Sequence, residues 1–182
     1  MTQALYFIVK TLAQLYVLLL LLRFWLPWLR ADFRNPIAQG ILKFTSPLIV
    51  PLRRFLPSVG RLDTATILVA FVVQFVTVMV LLAIVRRPID TLTVAFVSII
   101  ELAILSLNLF FFATLLRIIL SWVAPGNYNP VTALLTTLSE PVLRPFRRLI
   151  PPIGGLDISP IFALVLLQAA VILLQQVKPV PV

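Results

Sequence analysis

Asn35-Pro36, then Ser46-Pro47-Leu48-Ile49-Val50-Pro51-Leu52-Arg53-Arg54-Phe55-Leu56-Pro57, then Gly60-Arg61-Leu62-Asp63: the chain carries this pattern twice. The second copy opens at Asn129-Pro130 and continues through Glu140-Pro141-Val142-Leu143-Arg144-Pro145-Phe146-Arg147-Arg148-Leu149-Ile150-Pro151 to Gly154-Gly155-Leu156-Asp157. The offset of 94 residues holds without a gap from Arg23/Arg117 to Gln74/Gln168, and 15 of those 52 aligned pairs are identical. Most identities are Arg, Pro, Asn, Gly, Asp, Gln or Trp, so shared apolar composition does not produce them. A repeat of fixed period decides architecture before any local signal does. The chain is a duplication, with residues 1–88 as its first unit and 89–182 as its second.

Around the repeat, the composition is that of a membrane protein. Hydrophobic residues make up 61% and charged residues 12% of the chain, and the mean hydropathy is +1.10. Crossing the hydrocarbon takes about 20 mostly apolar residues. Four stretches qualify as transmembrane helices, at about 4–26, 64–85, 92–120 and 158–177. The first is read as a retained span and not a signal peptide, since its amino end is uncharged and Arg23-Phe24-Trp25-Leu26-Pro27 follows its apolar core. The third is long enough to tilt. The tail from Lys178 to Val182 is expected to be disordered.

Within each unit a basic segment joins the two spans, at about 35–57 and 129–151. Asn35-Pro36 and Asn129-Pro130 are helix starts, an N-cap followed by proline at the first helical position. Ser46-Pro47 repeats that signal, and Pro51 follows one turn later. Two short helices are therefore expected in the first segment, the second of them short or kinked. Arginines facing lipid phosphates over an apolar underside make these interfacial amphipathic helices. Asp63 and Asp157 stand where N-caps for the second and fourth spans belong.

Each unit crosses twice, so both face the same way. The reading is an all-α membrane protein of four transmembrane helices, arranged as two parallel-oriented helical hairpins. The basic segments carry Arg30, Arg34, Lys43, Arg53, Arg54, Arg61, Arg144, Arg147 and Arg148, against Arg86, Arg87 and Lys178 on the other side. The positive-inside rule then sets the long segments in the cytoplasm and both termini outside.

Several polar residues are candidates for function. Arg53, Arg54, Arg144, Arg147 and Arg148 are expected to bind anionic lipid or a partner. The net charge of +9 points to lipid head groups and not to nucleic acid, because the basic residues flank the spans. Arg23 with Asp63, and Arg117 with Asp157, are hairpin-end polar pairs. Gln14, Gln74, Asn108 and Gln168 fall near the midplane, where they could glue helices together or line a path. Lys10 and Glu101 share a depth and form a candidate ion pair, with snorkelling of Lys10 as the alternative.

Catalysis is not expected. The chain has no Cys and no His, which removes thiol chemistry, imidazole bases and His-ligated metals. It has no G-x-S-x-G, Walker or G-x-G-x-x-G motif. No cofactor or metal is expected. Two functions remain: a non-catalytic scaffold engaging anionic lipid or a membrane or cytoplasmic partner, and an oligomer conducting a small solute or ion past the midplane amides. Other membrane proteins or further copies of this chain are the partners these readings imply.

The residues also resemble a family. Arg117-Ile118-Ile119-Leu120-Ser121-Trp122, Asn129-Pro130, Glu140-Pro141, Arg147-Arg148 and Gly154-Gly155-Leu156-Asp157-Ile158-Ser159-Pro160 look like the YggT (YlmG-related) membrane proteins, one copy per half. The first copy departs from the pattern at Pro27, Arg61 and Ala65-Thr66. The resemblance implies a small protein of the bacterial inner membrane, with plastid relatives. It also implies a role in cell division, envelope or complex organisation, or osmotic tolerance.

Overall fold

A computed structural model describes residues 2–56, 58, 60, 62–87, 90–123, 126, 129–150 and 157–179. Among these described residues six helices run in the order α1 (Thr2–Trp28), α2 (Pro36–Arg53), α3 (Thr64–Ile84), α4 (Thr91–Val123), α5 (Pro130–Leu149) and α6 (Ser159–Val177). Of these, α1, α3, α4 and α6 are long and apolar enough to cross a membrane. With no water in hydrocarbon to satisfy backbone groups, such runs close their hydrogen bonds internally as helices. These four helices answer, in length and apolarity, to the four stretches expected from the sequence. Pro57, Arg61 and the second glycine turn, Gly154-Gly155-Leu156, lie outside the described residues.

The start signals work locally. Asn35 accepts from the Ile37 amide at 2.9 Å, and Asn129 Oδ1 accepts from the Thr132 amide at 2.9 Å while the Thr132 hydroxyl accepts from the Asn129 amide at 3.0 Å. Asp63 caps α3 through Thr66. At α6 the cap position shifts by one residue to Ile158, although the Asp157 carboxylate still takes the Ser159 amide at 3.0 Å.

The connecting segments correct the sequence reading. Ser46-Pro47 does not start a second helix: α2 is one helix of 18 residues with Pro47 and Pro51 inside it. Likewise α5 is one helix of 20 residues through Pro141 and Pro145. Each proline deletes one amide donor and crowds the carbonyl one turn back. All four prolines lie on the exposed faces of their helices, where freed carbonyls are not sealed in apolar core. On the buried face, hydroxyls of Thr45 and Ser46 bond back to the carbonyls of Ile41 and Leu42, both at 2.6 Å. The carbonyls that Pro47 and Pro51 leave without a helical donor are those of Lys43 and Pro47, both exposed residues.

Packing joins the elements in sequence. Leu20 of α1 meets Ala65, Val69 and Ala70 of α3, with Ile49 of α2 behind them. Val78 and Leu82 of α3 meet Val94 and Val97 of α4, and Ile100 and Ile104 of α4 meet Val171 of α6. The largest cluster draws on four helices: Val17 and Leu21 (α1), Ala38 and Ile41 (α2), Ala113 (α4) and Leu135 (α5). Alanines at these contacts let helices approach closely, which is how packing holds spans together without a hydrophobic drive. The Asn35 amide nitrogen donates to the Pro130 carbonyl at 2.7 Å, joining the starts of α2 and α5.

Candidate functional site

Two polar nodes, related by the repeat, fasten α2 and α5 to the spans. In the first, Arg23 lies near the end of α1 and is only 3% exposed. Its Nη1 donates to Thr45 Oγ1 at 2.8 Å, Ser46 Oγ at 3.1 Å and the Leu42 carbonyl at 3.3 Å. Its Nε lies 3.8 Å from Asp63 Oδ2. Asp63 also receives Arg53, whose Nε lies 3.4 Å from Oδ1 and whose Nη2 reaches Oδ2, and the Thr66 hydroxyl at 2.6 Å. Burial alone would raise the Asp63 carboxyl; hydrogen bonds from Arg53 and Thr66 outweigh it and hold the group below the usual carboxylate range.

The second node repeats the wiring 94 residues on. Arg117 Nη1 donates to Ser139 Oγ at 2.9 Å and Glu140 Oε2 at 3.0 Å. Arg147 bridges Glu140 at 3.4 Å and Asp157 at 2.8 Å. The Asp157 carboxyl is likewise below its ordinary value, burial being outweighed by Ser159 and Arg147. The hairpin-end pairs of the sequence reading thus take two forms. Arg23 and Asp63 meet directly, whereas Arg117 and Asp157 are linked through Glu140 and Arg147.

Sequence reasoning missed Thr45, Ser46, Ser139 and Glu140. A signal for them existed: each pair sits just before an in-helix proline and obeys the same offset. The nodes also give two of the arginines an intramolecular partner. Arg53 and Arg147 pair with aspartates, a geometry that charge-assisted bonds favour, and remain exposed, as do Arg54, Arg144, Arg148 and Lys43. Beside them, Phe44, Leu48, Phe55 and Leu149 are exposed as well. The outer faces of α2 and α5 are therefore basic and greasy together.

The midplane amides part company. Gln74 is buried in α3 and its Oε1 has no hydrogen-bond partner. Gln168 is exposed on α6. Gln14 and Asn108 line one cavity of about 600 Å³ between α1, α4, α5 and the end of α6. Lys10, Glu101 and Lys178 line the same cavity. The Glu101 carboxylate receives the Lys178 ammonium, and Lys10 lies 5.9 Å over the Tyr6 ring. Lys178 is thus held, not loose as the tail expectation had it. Residues 180–182 lie outside the described residues.

Comparison with known proteins gives a consistent picture. The family model described as CCB3/YggT matches residues 2–84 and 96–177. The chain is 44% identical over 169 residues to the uncharacterized protein PA0392 of Pseudomonas aeruginosa, covering 92% of this chain and 85% of that one. It is 38% identical over 162 residues to the uncharacterized protein YggT of Escherichia coli K12, covering 88% and 84%. A shorter match, 42% over 66 residues, joins it to the chloroplastic YlmG homolog protein 2 of Arabidopsis thaliana, covering 35% of this chain and 25% of that one. No solved structure matches.

Proposed function

Because the chain belongs to the CCB3/YggT family, with four helices apolar enough to span a membrane, we propose that it is a non-catalytic scaffold or accessory subunit of the bacterial inner membrane. It works through the outer faces of α2 and α5. The observation that carries this reading is the composition of those faces: Lys43, Arg54, Arg144 and Arg148 stand among exposed Phe44, Leu48, Phe55 and Leu149. Phenyl and leucyl groups enter the acyl boundary while basic heads meet phosphates. Each basic residue near an anionic surface contributes about 1 kcal/mol. The inner faces are pinned to the spans by the two nodes, so each ledge lies along the bilayer surface and does not swing free. Parallel hairpins put both ledges on one side, and the excess of Arg and Lys makes that side cytoplasmic. Envelope organisation, cell division or osmotic tolerance is the setting that the family resemblance supplies.

The test is the lipid retained after purification in mild detergent. Phosphatidylglycerol and cardiolipin should be enriched over phosphatidylethanolamine, and the variant with Lys43, Arg54, Arg144 and Arg148 all changed to Ala should lose that enrichment. A native-like lipid profile in that variant overturns the reading. Single cysteines at Ser58 and Val182, in a chain with no cysteine of its own, check sidedness. Only Val182→Cys should react with an impermeant maleimide added from outside.

A further inference from the structure

The cavity between the two repeats holds charge at a depth where charge is costly. Glu101 lies about 15 Å along α4 from Thr91, and Lys10 about 12 Å along α1 from Thr2, at 1.5 Å per residue. Toward the helix ends beyond them, Leu5, Phe7, Ile8, Leu92, Phe96 and Ile99 are exposed and apolar, so the charges sit inside an apolar band. Ionisable groups within such a band mark functional sites by default. Here α6 is the short span: it stops at Val177, and Lys178 binds Glu101 at that level. The early stop leaves a recess under the longer α1 and α4.

Three features of the recess describe an occupant. Its charged end sets two ammonium groups, Lys10 and Lys178, against one carboxylate, Glu101, an excess of positive charge among the lining side chains that suits an anion. Next come the amides of Gln14 and Asn108, and then a chamber walled by Leu18, Leu109, Leu135 and Leu138. Finally, Leu15, Phe112 and Leu116 on the rim are exposed, so the chamber opens sideways into the bilayer. A polar anchor leading into a laterally open apolar chamber is the shape of an amphiphile. The volume of about 600 Å³ lies within the usual span of ligand pockets. We propose that this cavity binds one anionic phospholipid of the bilayer, its phosphate at Lys10 and Lys178 and one acyl chain against α4 and α5. Glu101 positions Lys178. The site is separate from the outer ledge faces and does not depend on them.

The experiment uses the full chain in phosphatidylcholine vesicles containing a trace of either phosphatidylglycerol or phosphatidylcholine with a photoactivatable acyl chain. Labelled residues are then mapped by mass spectrometry. Phosphatidylglycerol should label positions 105–116 of α4 in clear excess over phosphatidylcholine, whereas the exposed Ile161, Phe162, Val165 and Leu166 of α6 should show no preference. Lys10→Gln with Lys178→Gln should cut the excess by about fivefold for each lysine, the factor that roughly 1 kcal/mol per basic residue represents. Lys10→Arg with Lys178→Arg should retain it, which controls for folding. Leu116→Trp, at the rim, should lower labelling by both lipids. Equal labelling by the two lipids in the native chain, or an excess that survives the double glutamine change, overturns the proposal. So does loss of the excess in the Lys43, Arg54, Arg144 and Arg148 alanine variant, which would assign the preference to the ledges.

Discussion

The two polar nodes share their wiring and differ in their charge balance. Around Asp63, two arginines share one carboxylate, which is 7% exposed. Around Asp157, two arginines share two carboxylates, Glu140 and Asp157, at 46% and 39% exposed. The substitution behind the difference is Ser46 against Glu140. In the buried node a second carboxylate would have to be desolvated, so hydroxyls of Thr45 and Ser46 and the Leu42 carbonyl take the Arg23 Nη1 bonds instead. In the exposed node water carries part of that cost, and an acidic residue is tolerated. The same repeat element is thus a locked joint in the first unit and a solvated one in the second.

The largest test of that contrast is Asp63→Ala. It leaves Arg23 and Arg53 facing each other without a carboxylate, and breaking a buried pair in this way costs about 3–5 kcal/mol. Thermal or denaturant unfolding in detergent should register it. Glu140→Ser, which removes from the second unit the carboxylate that Arg117 and Arg147 share, should cost no more than about 1 kcal/mol, because exposed pairs contribute little. Equal losses at the two nodes would break the comparison.

Ser46→Glu sharpens it by giving the first node the second node's composition. In a double-mutant cycle it should recover at least part of the Asp63→Ala loss, since the new carboxylate reaches the same arginine. Strict additivity would mean that Ser46 and Asp63 do not share Arg23.

Acid provides the next contrast. The Asp63 and Asp157 carboxyls both lie below their ordinary values in the folded chain. Their stabilising contribution is therefore complete above the unfolded carboxylate value, about pH 4, and is lost as pH falls through the folded values. Unfolding scans from pH 7 to pH 3 should show a falling midpoint at the acid end. Asp63→Asn should flatten that fall more than Asp157→Asn does. The smallest effect is expected at Gln74, whose buried Oε1 lacks a partner. Gln74→Leu should be neutral or stabilising by up to about 1 kcal/mol, because it removes an unpaired polar atom. A loss above that would reveal a bond made by this amide.

Much of the chain was legible in its residues because the signals are local. Asn35, Asn129 and Asp63 cap helices next to themselves, and a run such as 64–84 spans a membrane by length and apolarity alone. The in-helix prolines misled for the converse reason. Ser46-Pro47 has the composition of a helix start, and only the contacts that Thr45 and Ser46 make with Arg23, across 22 and 23 residues, show why the helix runs on.

By itself the sequence determined the duplication, four runs apolar enough to span, and the position of each charge along its helix, since rise per residue converts residue number into distance. Which way each charge points was decided only by the tertiary structure. The Lys178 ammonium, which the sequence left in a loose tail, binds Glu101, and Arg53 reaches Asp63 while its side chain stays 47% exposed. Depth along a helix is a one-dimensional quantity that sequence carries. The direction around a helix toward a neighbour exists only once the neighbours have packed.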